Sequence, residues 1–414
     1  LFPMDSQDKA TSQQRDISSK SQSFATKWKV LSGEKKWEGL LYPLDHDLRR
    51  YIIHYGELAQ ATYDSFNYHK WSTSAGSCFY TEDNFFAKVG LDKALAYKYS
   101  ITKFMYATSS IKLPDGFLLK SLSRGGRNKE SNWIGYVAVA TDDAKEMMGR
   151  RDVVIAWRGT VQTMEWANDF DSLSVSASEI LRKKAVGDPK IHHGFMSLYT
   201  STDSLSSFNV ISARDQIIGE VKRLTELYKG EEISITVTGH SLGGAMAMLT
   251  AADIAVNKFN KPMSEPDKAC PVTAIVFGSP KLGDKSFVRL CSDCEELRVL
   301  RIRNGLDVVP DCPPIGFADF GVELKIDTGK SPYLKPLMTH ADYHNLEGYL
   351  HGVAGTQGSK REFKLEIPRS IALINKSADV LKEQYHVPPS WRVLPNKGMV
   401  QLEDGSWELK DSKR

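Results

Sequence analysis

No apolar stretch in this chain approaches the ~20 residues that carry a helix across a bilayer, so a helical membrane span is excluded. Net charge is small too, at +3. Lys and Arg number 54 against 51 Asp and Glu, a balance that offers no electrostatic footprint for nucleic acid. Cysteine is sparse: five residues, an odd count that argues against a disulfide scaffold and fits reduced thiols in a cytoplasmic protein. Cys291 and Cys294 have the spacing of half a zinc site. Cys78, Cys270 and Cys312 stand alone, so no second pair completes four ligands and the five are read as ordinary thiols. Residues 1–24 lack the apolar core of a secretory signal. They are rich in Ser, Gln, Lys and Asp and read as a disordered tail.

What the chain does have is a nucleophile-building turn. Ile233, Ile235 and Val237 alternate with polar residues as a strand does, and Ala, Met, Leu and Ile recur through Ala255 without a proline, as a helix does. Between them lies Gly239-His240-Ser241-Leu242-Gly243. A strand turning at once into a helix strains the middle residue and pushes its side chain outward, and glycines on either side remove the Cβ atoms that would clash. The same geometry sets Ser241 beside a helix N-terminus, whose free N–H groups can hold an oxyanion.

The remaining elements set the architecture. Residues 24–67 read as helical, with Leu48, Tyr51, Ile52, Tyr55 and Leu58 at helical spacing. Strands follow at 133–140 and 152–157, around a charged, helix-like turn at 145–151. A helix is expected over 213–228, then the nucleophile strand and helix, then strands at 272–277 and 297–302. Strands alternating with helices at this spacing imply a largely parallel sheet covered on both faces: an α/β domain spanning 25–383. The basic run Ser123-Arg124-Gly125-Gly126-Arg127-Asn128-Lys129 reads as an exposed turn, and 384–414 as a loop followed by a small hairpin.

A serine hydroxyl needs a base to take its proton, and the base needs a carboxylate to fix its tautomer. In such sheets the partners arrive after later strands, in the order Ser, acid, His. Asp307 is the best-placed acid, in a Gly- and Pro-bounded turn after strand 297–302, with Asp311 and Asp284 as alternatives. Among His340, His344, His351 and His386, His344 precedes a short helix that would hold it firmly, and His351 stands second. For the oxyanion, the N–H of Leu242 and one from the loop Trp157-Arg158-Gly159-Thr160 are the expected donors, the latter at Thr160.

Several motifs taken together resemble a known family. They are Trp157-Arg158-Gly159-Thr160, Lys190-Ile191-His192-His193-Gly194-Phe195, Gly239-His240-Ser241-Leu242-Gly243-Gly244, Phe277-Gly278-Ser279-Pro280, Asn304-x-x-Asp307-x-Val309-Pro310 and His344-x-x-x-x-Tyr349. This set resembles the class 3 lipases, first known from filamentous fungi. The segment Tyr51–Asp64 and the tail Pro388-Pro389-Ser390-Trp391 are similar to the plant phospholipase A1 branch. The resemblance covers about residues 25–410 and departs from the usual Arg-Val-Gly-Asn ending at Lys281-Leu282-Gly283-Asp284.

The resemblance implies an α/β-hydrolase with Ser241 as nucleophile, Asp307 and His344 as its partners, and Thr160 and Leu242 at the oxyanion. It also implies a lid near 161–181 carrying Trp166, Phe170 and Leu173, and a lipid ester as substrate, foremost the sn-1 ester of a glycerophospholipid, with acylglycerols and galactolipids as the alternative. Such chemistry needs no metal or organic cofactor. Expected partners are the lipid substrate and the lipid surface, with no nucleic acid. An acyltransferase would share the acyl-enzyme, and products of transfer to an added acceptor alcohol would distinguish it; a non-catalytic lipase-like scaffold would share the fold, and the complete set of Ser, Asp, His and oxyanion residues argues against it.

Overall fold

The computed structural model describes residues 24–113, 116–119, 122, 131–160, 173–181, 187–358, 361–392, 399–401 and 407–409. The polar tail up to residue 23, the basic run 123–129, Trp166, Phe170 and the turn of the expected hairpin lie outside the described residues.

Strands β1 (Tyr99–Ala107), β2 (Asn132–Ala140) and β3 (Arg151–Trp157) come first, and β4 (Ser174–Ser176) and β5 (Lys190–His192) form a separate antiparallel pair. Next come β6 (Ile233–His240), β7 (Val272–Phe277), β8 (Leu297–Asn304) and β9 (Val322–Ile326). One seven-stranded sheet runs β1-β2-β3-β6-β7-β8-β9. Its first two pairings are antiparallel and the remaining four parallel. The carboxyl ends of β3, β6, β7 and β8 therefore point the same way, and loops at that edge can converge on one site.

The principal helices are α1 (His46–Asp64), α2 (Asp142–Met148), α3 (His193–Thr200), α4 (Ala213–Leu227), α5 (Leu242–Val256), α6 (Lys285–Ser292) and α7 (Leu346–Gly355). Alternation along each strand splits the core into two layers. Val153, Ile155, Ile235, Val237, Ala274 and Val276 pack with α3, α4 and α5 on one face. Val154, Ala156, Ile275, Phe277, Leu300 and Ile302 pack with α1 and α7 on the other. A fully buried side chain such as Ile275 contributes about 1.5–3 kcal/mol by leaving water.

A buried carboxylate pins α1 to the sheet. Asp152 on β3 accepts from the hydroxyls of Tyr55 on α1 and Tyr99 on β1, each at 2.8 Å, and from Ser234 at 2.7 Å and Thr236 at 3.1 Å on β6. Four donors offset the cost of burying that charge. This anchoring matters because the last turn of α1 carries Gln60, Tyr63 and Asp64 to the far edge of the sheet.

Two sequence expectations need correcting in detail. The helical reading of 24–67 divides into a helix over 24–31 and α1, separated by turns in which Gly33, Lys36 and Trp37 have positive φ. Asp45 then starts α1 by accepting from the amides of Asp47 and Leu48. The charged turn at 145–151 is mostly helix α2, capped by Thr141 and closed by Gly149 in the left-handed region. Edge strands β1 and β9 were not anticipated. In the tail, Met399–Gln401 pairs antiparallel with Trp407–Leu409, and the amides of Ser390, Trp391 and Arg392 donate to the carbonyls of Ala378, Asn375 and Lys376.

Candidate active site

At the end of β6 the chain enters Ser241 with φ 59° and ψ −128°, then goes straight into α5. A non-glycine residue held there stores about 1–3 kcal/mol of strain, which the surrounding packing must enforce. Space for the bend comes from glycine. A Cβ on Gly239 would sit 2.2 Å from the carbonyl oxygen of Gly243, and one on Gly243 would sit 2.5 Å from that of Trp157. Leu242 is the first residue of α5, so its N–H has no acceptor within the helix.

The structure brings together three of the expected side chains. His344 Nε2 lies 2.8 Å from Ser241 Oγ, and His344 Nδ1 lies 2.6 Å from Asp307 Oδ2. All three residues are buried. Asp307 Oδ1 accepts from the amide of Val309 at 2.9 Å, which fixes the carboxylate in its turn. His344 closes a single helical turn, His340–Tyr343, begun by a capping box between Thr339 and Asp342. From β8, Asn304 donates to the carbonyl of Tyr343 at 3.0 Å and so ties that turn to the sheet.

The other candidates fall elsewhere. His351 is buried against Ser331 Oγ at 2.7 Å, and its burial, with the Arg369 charge, pushes its pKa down to about 3. Asp311 pairs with Arg303 at 2.8 Å. Asp284 caps α6 by accepting from Phe287. His340 and His386 are exposed. Cys291 and Cys294 lie at and just past the end of α6; among the described residues no group of three or more His, Cys, Asp or Glu is arranged to hold a metal ion. Of the expected lid residues, Leu173 lies just before β4 and is exposed, while its carbonyl accepts from His193 at 2.9 Å.

Thr160 lines the same cavity as Ser241 and His344. Behind it lies a residue to which the sequence reading gives no role. Arg158 is fully buried, donates to the carbonyls of Gly159 at 2.8 Å and Trp133 at 3.2 Å, and rests 3.7 Å from the Phe66 ring centroid. It makes no ion pair among the described residues, and burial lowers its pKa to about 9. In a trans peptide the C=O and N–H point opposite ways, so tying down the Gly159 carbonyl aims the Thr160 N–H away from Arg158.

Two more contributors were missed. Tyr349 reads in the sequence as part of an apolar helix face, yet its hydroxyl donates to Asp307 Oδ2 at 2.5 Å. His240 packs against His344 with ring centroids 4.6 Å apart and planes tilted by 39°, and is hydrogen-bonded through Nδ1 to Tyr63 at 2.8 Å. Burial, aided by neighbouring His344, holds its pKa well below the ordinary histidine value. The signal for Arg158 and Tyr349 was their place inside the quoted motifs; their contacts depend on how distant segments pack.

A cavity of about 470 Å³ opens over Ser241. Phe66, Tyr68, Phe79 and Leu346 supply apolar wall, while Asp64, Lys376 and Arg392 form a charged end. A strained serine and a buried histidine–aspartate pair, with Thr160 lining the same cavity at the carboxyl edge of a mostly parallel sheet, define a serine hydrolase site of the α/β-hydrolase class.

Comparison with known proteins narrows that class. The sequence profile of the lipase (class 3) family matches residues 154–317. Phospholipase A1-IIgamma of Arabidopsis thaliana is 54% identical over 391 residues, covering 94% of this chain and 93% of that one. Phospholipase A1-II 1 of Oryza sativa subsp. indica is 51% identical over 388 residues, covering 94% and 96%. Among solved structures, the native Rhizomucor miehei lipase propeptide complex aligns over 75% of this chain and 80% of that one, with 20% identity and a TM-score of 0.43. The chain belongs to the class 3 lipase family, within its phospholipase A1-II group, and is a carboxylic ester hydrolase.

Proposed function

We propose that the protein is a phospholipase A1 that releases the sn-1 fatty acid of glycerophospholipids through an acyl-enzyme on Ser241. The observation that carries the mechanism is the continuous hydrogen-bonded line Ser241 Oγ–His344–Asp307, at 2.8 and 2.6 Å. The names of the A1-II relatives support the choice of ester.

In this mechanism Ser241 Oγ attacks the ester carbonyl carbon as its proton passes to His344 Nε2. Negative charge then builds on the carbonyl oxygen, where the N–H groups of Leu242 and Thr160 receive it; one such donor is worth about 3–4 kcal/mol in the transition state. Asp307 keeps the His344 proton on Nδ1 and stabilises the imidazolium. Collapse breaks the bond to the glycerol oxygen, which takes the proton from His344 and leaves as the lysophospholipid. Water, deprotonated by His344, frees the fatty acid and restores Ser241.

The apolar wall of the cavity suits an acyl chain, and among the described residues no helix is long and apolar enough to cross a membrane. Lipid is therefore met at a surface. Five cysteines, a sparse and odd count, fit a cytoplasmic setting. The test is hydrolysis of phosphatidylcholine carrying different acyl chains at sn-1 and sn-2: release of the sn-1 acid supports the reading, and release of the sn-2 acid alone contradicts it.

A further inference from the structure

The charged end of the cavity takes no part in the ester chemistry, and its construction calls for a separate explanation. Arg392 donates from Nη1 to Asp64 Oδ2 at 2.7 Å and from Nη2 to the Asp64 carbonyl at 3.0 Å. Lys376 Nζ binds the same Asp64 oxygen and, at 3.3 Å, Glu347. Glu347 pairs with Arg369, which reaches Glu57 at 2.8 Å. The result is one alternating row: Arg392, Asp64, Lys376, Glu347, Arg369, Glu57.

Exposure is uneven along that row. The Glu347 side chain is 0% exposed, those of Lys376 and Asp64 are 9% and 7%, and that of Arg392 is 21%. Arg392, Asp64 and Lys376 reach the cavity wall; Glu347, Arg369 and Glu57 do not line it. Each inner ion is flanked by opposite charges. Among the described residues Arg392, at the cavity end, has only a share of one carboxylate that Lys376 also uses, and its N–H donors beyond those given to Asp64 have no acceptor there. The other carboxylate on that wall among the described residues, Asp342, is engaged by Thr339 in the capping box.

The tail is laced in so as to put Arg392 there. Ser390 N donates to the carbonyl of Ala378 at 2.9 Å, Arg392 N to that of Lys376 at 3.1 Å, and Trp391 Nε1 to that of Ala372 at 2.8 Å. Fixing a partly exposed guanidinium on a wall shared with Phe66, Tyr68 and the nucleophile serves no purpose for a neutral glyceride. It suits a substrate that carries an anion a few bonds from the scissile ester. Arginine's forked donors match a phosphate's oxygens.

We infer that Arg392, backed by Lys376 through Asp64, receives the phosphodiester of the glycerophospholipid whose sn-1 ester lies at Ser241. This rests on the phospholipase reading and assigns its headgroup subsite. The phosphodiester completes the row as its missing terminal anion, orients the glycerol so that one ester reaches Ser241, and gives phospholipid an advantage over diacylglycerol.

The test compares wild type with Arg392→Gln and Arg392→Lys on 1-palmitoyl-2-oleoyl phosphatidylcholine and on the matching diacylglycerol, each in the same detergent micelles. The ratio of kcat/KM for the two lipids should fall roughly tenfold or more in Arg392→Gln, as a lost charge-assisted contact implies, and recover in large part in Arg392→Lys. Thermal unfolding of each variant identifies any that fails to fold, and the lysine variant keeps the charge where glutamine is not tolerated. An unchanged ratio in a folded Arg392→Gln, or equal losses on both lipids, overturns the inference while leaving the phospholipase reading intact. Wild type that cleaves diacylglycerol but not phosphatidylcholine defeats that reading instead. Inorganic phosphate separates the lipid from the free anion: inhibition of wild-type diacylglycerol hydrolysis at low millimolar phosphate would mark a free-anion site and contradict the assignment.

Discussion

Arg158 donates from Nη1 to the carbonyl of Gly159, its own neighbour, at 2.8 Å, and in doing so fixes the peptide whose N–H belongs to Thr160. The arginine is buried without a carboxylate partner among the described residues. Its Nε donates to the Trp133 carbonyl and its Nη2, at 3.4 Å, to that of Phe117. A charge so placed orients the loop that the proposed mechanism assigns to the oxyanion, and would favour negative charge developing in front of it. Arg158→Lys keeps charge but loses the fork, so kcat should fall roughly tenfold or more with KM little changed, because the lost interaction is made in the transition state. Steady-state kinetics on a soluble short-chain ester checks this; a rise in KM with kcat intact would contradict it.

Asp307→Asn reverses one hydrogen bond. An amide nitrogen facing His344 Nδ1 turns the imidazole to the wrong tautomer, and kcat should drop on the order of 10⁴-fold with the fold intact. Circular dichroism and kinetics on one preparation test both halves of that statement.

Gly278→Ala should damage the site through space alone. With φ at 53°, the new Cβ would lie 3.0 Å from both Asp307 Oδ2 and Tyr349 Oη, and 3.2 Å from His344 Cε1. The left-handed backbone adds roughly 1–2 kcal/mol of strain. A shift of ~1 Å in the His344–Asp307 pair costs on the order of 10²-fold in rate. Wild-type activity in this variant would show that the turn after β7 does not confine the pair.

How much of this was legible beforehand follows from where the signals reside. β6, α5 and the bend between them were readable because apolar alternation, helical spacing and glycines fall within one short stretch. Asp307 and His344 were narrowed by local turn chemistry and chain order, but selecting them from their rivals required the family resemblance. Edge strands are harder to see. β9 alternates Glu323 and Lys325 with buried residues over only five positions, and β1 carries Lys103 amid mixed exposure. Tyr349 on Asp307 and Arg392 on Asp64 join residues 42 and 328 positions apart, and no local pattern encodes such pairings.

Stability should fall with acid through buried histidines. Burial lowers His54 to about 4 and His351 to about 3, whereas in the unfolded chain histidine titrates near ~6.5. Below that value the unfolded state binds protons that the folded state refuses, so unfolding becomes easier as pH drops from about 6.5 towards 4. Urea denaturation at several pH values should show this slope, and His351→Gln should reduce it by up to about one proton. A slope unaltered by the substitution would place the acid sensitivity elsewhere.

The most direct test of the central claim is to treat the protein with an alkyl p-nitrophenyl phosphonate and locate the adduct by peptide mass spectrometry. The phosphorus accepts the nucleophile and stays bonded to it as nitrophenolate leaves. The mechanism predicts one adduct, on Ser241, formed in step with the loss of phosphatidylcholine hydrolysis and absent from Ser241→Ala. Hydrolysis that persists after Ser241 is fully modified, or in Ser241→Ala at the wild-type rate, would contradict it.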